Sequence, residues 1–207
     1  MANVALTIPS AAVVGDLLDA HILSFHGDST ATPPTGPGPW TFVRTIQIQD
    51  GATDDVYRHT VVAGDRNKTV TWTVTGSLVQ AGVMLDIANS TGEDEYWAAG
   101  YGLTSIVAND PRFGALAAGE LVVALYIVAA NVSLSPPLPW SVIQNVNGPS
   151  ISFMFAQMST VAGGLLNALG GIIQPSLSLD ISPVSAPALA VTVTFLGLST
   201  LRTFATA

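Results

Sequence analysis

Three histidines, one run of acids and a few aromatics are the residues in this 207-residue chain whose types could do chemistry. His21 and His26 are five apart, on opposite faces of a strand, so they do not converge as metal ligands or as a base with its orienting partner. His59 follows Asp54 and Asp55 closely enough to form a dyad, but no G-x-S-x-G turn or comparable nucleophile setting accompanies it. All three therefore read as surface or structural histidines. Paired carboxylates on adjacent strands stay open at this level. Glu93, Asp94 and Glu95 could offer oxygens to calcium, which needs several converging carboxylates and carbonyls. Their spacing is not D-x-D-x-D-G, so they read as a solvated loop, and no metal or cofactor is expected. Tyr96, Trp97 and Tyr101 beside them are candidate sugar-stacking residues, against a plainer reading in which they pin this connector to the fold. The chain has no cysteine, which removes thiol chemistry and disulfides. No enzymatic activity is expected.

What would position such residues is a duplicated pattern. Residues 15–43 contain GDLLDA, a double proline and P-W-T-F-V, with Gly15, Asp16, Pro39 and Trp40; residues 119–143 contain GELVVA, a double proline and P-W-S-V-I, with Gly119, Glu120, Pro139 and Trp140. Each copy reads as a tight turn permitted by glycine, an apolar strand, a proline-set loop and a second strand. Tryptophan just inside that second strand is a large apolar plug for a sandwich core. The match continues through Tyr57, Ala63 and Gly64 against Phe155, Ala162 and Gly163, and through the alternating runs 69–75 and 176–181.

Four strands from each half in one order predict an all-β fold: a single antiparallel jelly-roll β-sandwich of about eight strands, spanning 1–207. The halves are expected near 1–88 and 103–196, joined by a connector at 89–102 and followed by a tail at 197–207. The strand at 17–25 alternates Leu18, Ala20 and Ile22 with Asp19 and His21, the pattern of a half-exposed strand. Its counterpart at 121–128 is apolar on both faces, so it is expected to be buried on both.

Charge is distributed unevenly. The net charge of −8 argues against binding nucleic acid through phosphates, and beyond Arg112 only Glu120, Asp180 and Arg202 are charged. So few charges cannot make an ordinary solvated surface, where roughly 25–35% of positions are charged. The run 113–132 is interrupted by glycines, Glu120 and β-branched residues, so no membrane span is expected, and the first residues lack a signal peptide's basic segment. Other protein chains are left to cover this half. The candidate assembly surface is Leu121, Val123, Leu125 and Ile127, together with Leu165, Leu166, Leu169, Ile172 and Ile173 of the Gly-flanked segment 161–174. That segment either folds over an open end of its own sandwich or acts as a contact arm.

With GDLLDA, PP and PW, then GELVVA, PP and PW, and the closing ALAVTVTF, the chain resembles β-jelly-roll modules in structural proteins of tailed bacteriophages. Pro39 and Pro139 stand where that pattern has glycine before tryptophan. The resemblance implies a virion component, foremost a capsid decoration protein that docks on the major capsid protein and on copies of itself, with a trimer as the expected state. The alternative it implies is a tail or fibre module binding host-surface carbohydrate.

Overall fold

The alternating runs become strands, and every regular element among the described residues is one. In chain order they are β1 (Ala2–Thr7), β2 (Leu17–Phe25), β3 (Thr30–Ala31), β4 (Thr41–Gln47), β5 (Ala52–Thr60), β6 (Thr69–Thr75), β7 (Val79–Ala88) and β8 (Glu93–Gly100). There follow β9 (Ser105–Ala108), β10 (Leu121–Val128), β11 (Ser141–Asn147), β12 (Ser152–Ser159), β13 (Leu177–Asp180), β14 (Ala188–Phe195) and β15 (Thr200–Thr206). The computed structural model describes residues 2–25, 30–32, 34–47, 52–76, 79–90, 93–100, 105–108, 121–128, 141–147, 152–159, 177–180, 188–195 and 199–206. Side-chain burial is defined for most of 3–90 and for 199–206; between these it is defined for Leu121, Val123, Leu125, Tyr126, Val128 and Phe195.

All pairings among the described residues are antiparallel, and the chain divides into two compact units, residues 1–90 with 200–207 and residues 91–199. The first unit holds a five-stranded sheet, β15-β7-β2-β5-β4, and a three-stranded sheet, β1-β6-β3. Its core lies between them: Val4 and Leu6 of β1 with Val70, Trp72 and Val74 of β6 meet Leu18, Ala20 and Ile22 of β2, Tyr57 of β5 and Met84 of β7. The sheets approach closely at Gly82, where an added methyl would collide with Val4 and press on Leu6. At Gly15 the backbone takes φ 96°, the left-handed turn that a glycine before the acid makes possible.

The second unit holds β11-β12-β10-β14-β8 and the pair β13-β9. The order of its five-stranded sheet repeats that of the first unit's: β2 lies between β5 and β7, and β10 between β12 and β14. Even an irregularity recurs. The register of β4 on β5 shifts between Phe42 and Arg44, and that of β11 on β12 between Val142 and Gln144, each starting two residues past the repeated tryptophan.

Among the described residues no sheet mixes strands of 1–88 with strands of 103–196, and residues 1–90 with β15 enclose a core of their own. Two expectations are corrected. The connector at 89–102 is largely β8 and the tail at 197–207 is largely β15, because backbone pairing at a sheet edge needs no strong apolar pattern. The strand at 17–25 is not half-exposed: Asp19, His21 and Leu23 are as buried as Leu18, Ala20 and Ile22 on its other face. Burial of β10 on both faces is observed, with Leu121, Val123 and Leu125 on one and Tyr126 and Val128 on the other.

Candidate functional site

Three clusters of buried charged side chains stand out among the described residues of the first unit, and strand registry holds the first of them. In the first, β2 and β5 pair so that Asp19 faces Arg58 and Leu23 faces Asp54, with His21 between them on the same face. His21 Nδ1 lies 2.8 Å from Asp54 Oδ2 and Nε2 lies 3.4 Å from Asp19 Oδ2, while Arg58 Nε donates to Asp19 Oδ1 at 2.8 Å. Burial alone would lower the imidazole's pKa, but the carboxylates of Asp54 and Asp19 outweigh it and raise it to about 10. Burial likewise works against ionised Asp19, and His21 and Arg58 together hold its carboxyl below the usual value. Two acids and two bases thus compensate one another, with the His21 and Asp54 side chains at most 2% exposed. Such a closed network can fix a sheet's registry and offers a substrate no access.

His59 belongs to the second cluster, at the proline–tryptophan corner, and not with Asp54 or Asp55. Its Nδ1–H donates to Pro39 O at 2.8 Å and its Nε2 lies 2.8 Å from Asp65 Oδ2, which also accepts the Val62 N–H at 2.7 Å. Burial works against ionised Asp65, but these hydrogen bonds prevail and lower its pKa. The Trp40 ring packs on His59 and, edge to face, on Trp72, each at 5.2 Å between centroids, and its Nε1–H donates to Pro37 O at 2.7 Å. The P-W pair at Pro39 and Trp40 is therefore a clamp over the core. Asp55 works elsewhere: it accepts the Ala31 N–H at 2.7 Å while the Tyr57 hydroxyl donates to Ala31 O at 3.0 Å, tying β3 of one sheet to β5 of the other. Burial raises the pKa of both groups, that of Tyr57 to about 12 with Asp55 adding to it.

The third cluster joins β15 to the start of β2. Arg202 holds Asp16 through two bonds, Nε to Oδ2 at 2.9 Å and Nη2 to Oδ1 at 3.3 Å, and Asp16 also accepts the Val13 N–H at 2.7 Å. Asp86 lies fully buried beside them, its Oδ2 4.0 Å from Arg202 Nε, with neither carboxylate oxygen hydrogen-bonded. Burial first, and the charge of Asp16 second, push its pKa up to about 7. A pKa raised in the fold contributes stability that is full below the unfolded value of 3.8 and lost as pH rises through about 7. Asp86→Asn is expected to flatten that loss and to melt above the parent on the alkaline side of pH 7; a melting series across this range reads it. A variant that keeps the parent's slope would assign the titration to another group.

Of the candidates from sequence, Leu121, Val123 and Leu125 share one buried face of β10, and Ile127 stands on the same strand opposite Phe153 and Leu189. Leu165, Leu166, Leu169, Ile172 and Ile173 lie outside the described residues, as do His26, Tyr101 and Trp140. Glu93, Asp94, Glu95, Tyr96 and Trp97 are all on β8, a paired strand and not a loop; their side chains lie outside the described set. Among the described residues no three His, Asp or Glu side chains gather as metal ligands, and no helix is long and apolar enough to cross a membrane. Sequence reasoning missed the pairing of His21 with Asp54 and that of Asp16 with Arg202, partners 33 and 186 residues apart. The only available signal was the place of His21, Asp54 and Arg202 in strands and of Asp16 at the turn before one. No family model matches the chain, and neither a curated protein nor a solved structure does.

Proposed function

We propose that this chain is a non-enzymatic virion component of a tailed phage, a capsid decoration protein whose units are jelly-roll sandwiches. The observation that carries the reading is that the two motif copies behind the phage resemblance occupy equivalent strands. GDLLDA leads into β2 and GELVVA into β10, with the same neighbours on each side, and P-W precedes β4 and β11 at matching irregularities. A pattern spent on scaffold geometry in both copies is what a structural module needs. Rolling of the chain agrees: β1 pairs with β6 and β2 with β5, so a long folded-back hairpin wraps until β6 meets β3 and β5 meets β4. Sparse charge after Arg112 supports cover by neighbouring copies and by the major capsid protein.

The test is cosedimentation of the purified protein with undecorated capsids of the phage that encodes it, beside sedimentation of the protein alone. Saturable binding and self-association, with a trimer as the expected state, support the reading. A monomer that stays in the supernatant at every concentration overturns it.

A further inference from the structure

The fifth strand of each large sheet is supplied out of turn. After β7 ends at Ala88, four residues lead to β8 at Glu93, which does not return to β7 but pairs with β14 in the second unit. After β14 ends at Phe195, four residues lead to β15 at Thr200, which does not return to β14 but pairs with β7 in the first unit. The two strands are equivalent: each follows the same strand of its own repeat by the same interval and lies antiparallel on the matching strand of the other. Each repeat therefore presents a strand-accepting edge and donates the strand that fits the other's edge.

From this reciprocal closure we infer that β15 also closes the first unit of a second copy of this chain, so that copies associate by exchanging their terminal strands. The partner chemistry is set by the edge itself, the backbone of β7 from Val83 to Ala88, which accepts residues 200–206 antiparallel with a single register shift between Leu201 and Thr203. A trans strand would make the contacts the cis strand makes, so the balance rests on concentration and linker geometry and not on new complementarity. Release is where β15 differs from its neighbour. No side chain of Thr200–Thr206 is fully buried, whereas 81–88 of β7 are all buried. Besides the backbone ladder to β7, it is held by the two bonds from Arg202 to Asp16 and the packing of Ala205 against the core. The inference does not depend on the virion reading, because it uses only strand order and register.

The absence of native cysteine makes a direct test possible. Thr206 pairs with Val83, and Val83 is buried. Val83→Cys and Thr206→Cys are made in separate full-length chains, mixed, incubated at high concentration and oxidised. A disulfide between the two chains forms efficiently only when β15 of one lies on β7 of the other. Thr200→Cys, which pairs instead at Ala88, serves as the mismatched control. The expected result is a heterodisulfide yield about tenfold or more above that control, reflecting register-specific effective concentration. Arg202→Gln should reach it faster by loosening the strand. The double variant Val83→Cys/Thr206→Cys, oxidised while dilute, checks folding and register and should then no longer exchange. If that variant closes internally while the mixed chains crosslink no better than the control, β15 is a permanent closure and the inference is wrong.

Discussion

Asp54→Ala is expected to destabilise the first unit by about 3–5 kcal/mol, because it leaves a buried imidazolium with only part of its compensation. His21 sits between two carboxylates with almost no exposed surface, so water cannot replace the one removed. Equilibrium urea unfolding of parent and variant measures the difference. A pH series adds an independent signature. With its pKa raised from 6.5 to about 10, His21 contributes stability that is complete below 6.5 and lost as pH climbs through about 10. The parent should weaken across that window, and His21→Gln should remove this slope. A change below 1 kcal/mol on removing Asp54 would mean that the cluster is hydrated and its charges are not buried in solution, since exposed pairs are worth about 0–1 kcal/mol.

Trp72→Ala is expected to cost about 3–5 kcal/mol, the range for truncating a large aromatic in a packed core. Trp72 is fully buried, with Trp40 edge-on at 5.2 Å and Tyr57 at 6.0 Å. Trp40, partly exposed above it, should cost less when truncated. Circular dichroism, which does not depend on the lost fluorophore, can follow both. Equal losses at the two positions would mean that the repeated tryptophan is itself the plug, as its place in the motif suggests.

What the sequence discloses here is local. Runs such as 69–75, 121–128 and 188–195 coincide with β6, β10 and β14, because a two-residue alternation or a continuous apolar stretch bounded by turn residues is a property of the segment alone. The duplication was legible for the same reason. Pairing was not. Nothing in Glu93–Gly100 tells which edge the strand will join, and its leading acids resemble a solvated loop. Asp19 and His21 looked solvent-facing because alternation cannot distinguish a charge facing water from one facing another charge; their partners on β5 lie 39 and 33 residues away. The P-W corner was half legible: a tryptophan against the core was foreseen, but the one fully buried is Trp72 of β6, and the brace from His59 of β5 to Asp65 and Pro39 depends on segments that meet only in the fold.

The placement of β15 has a consequence for synthesis on the ribosome. Translation yields β1 to β7 first and then every strand of the second unit, and only afterwards the strand that completes the first sheet. Throughout that interval the nascent first unit exposes the edge of β7, an open row of amides and carbonyls of the kind that recruits stray strands. The second unit can be complete before the first is, although it is made later. Closure of the first sheet thus waits for β15, and codons far apart in the message are needed to finish that one unit.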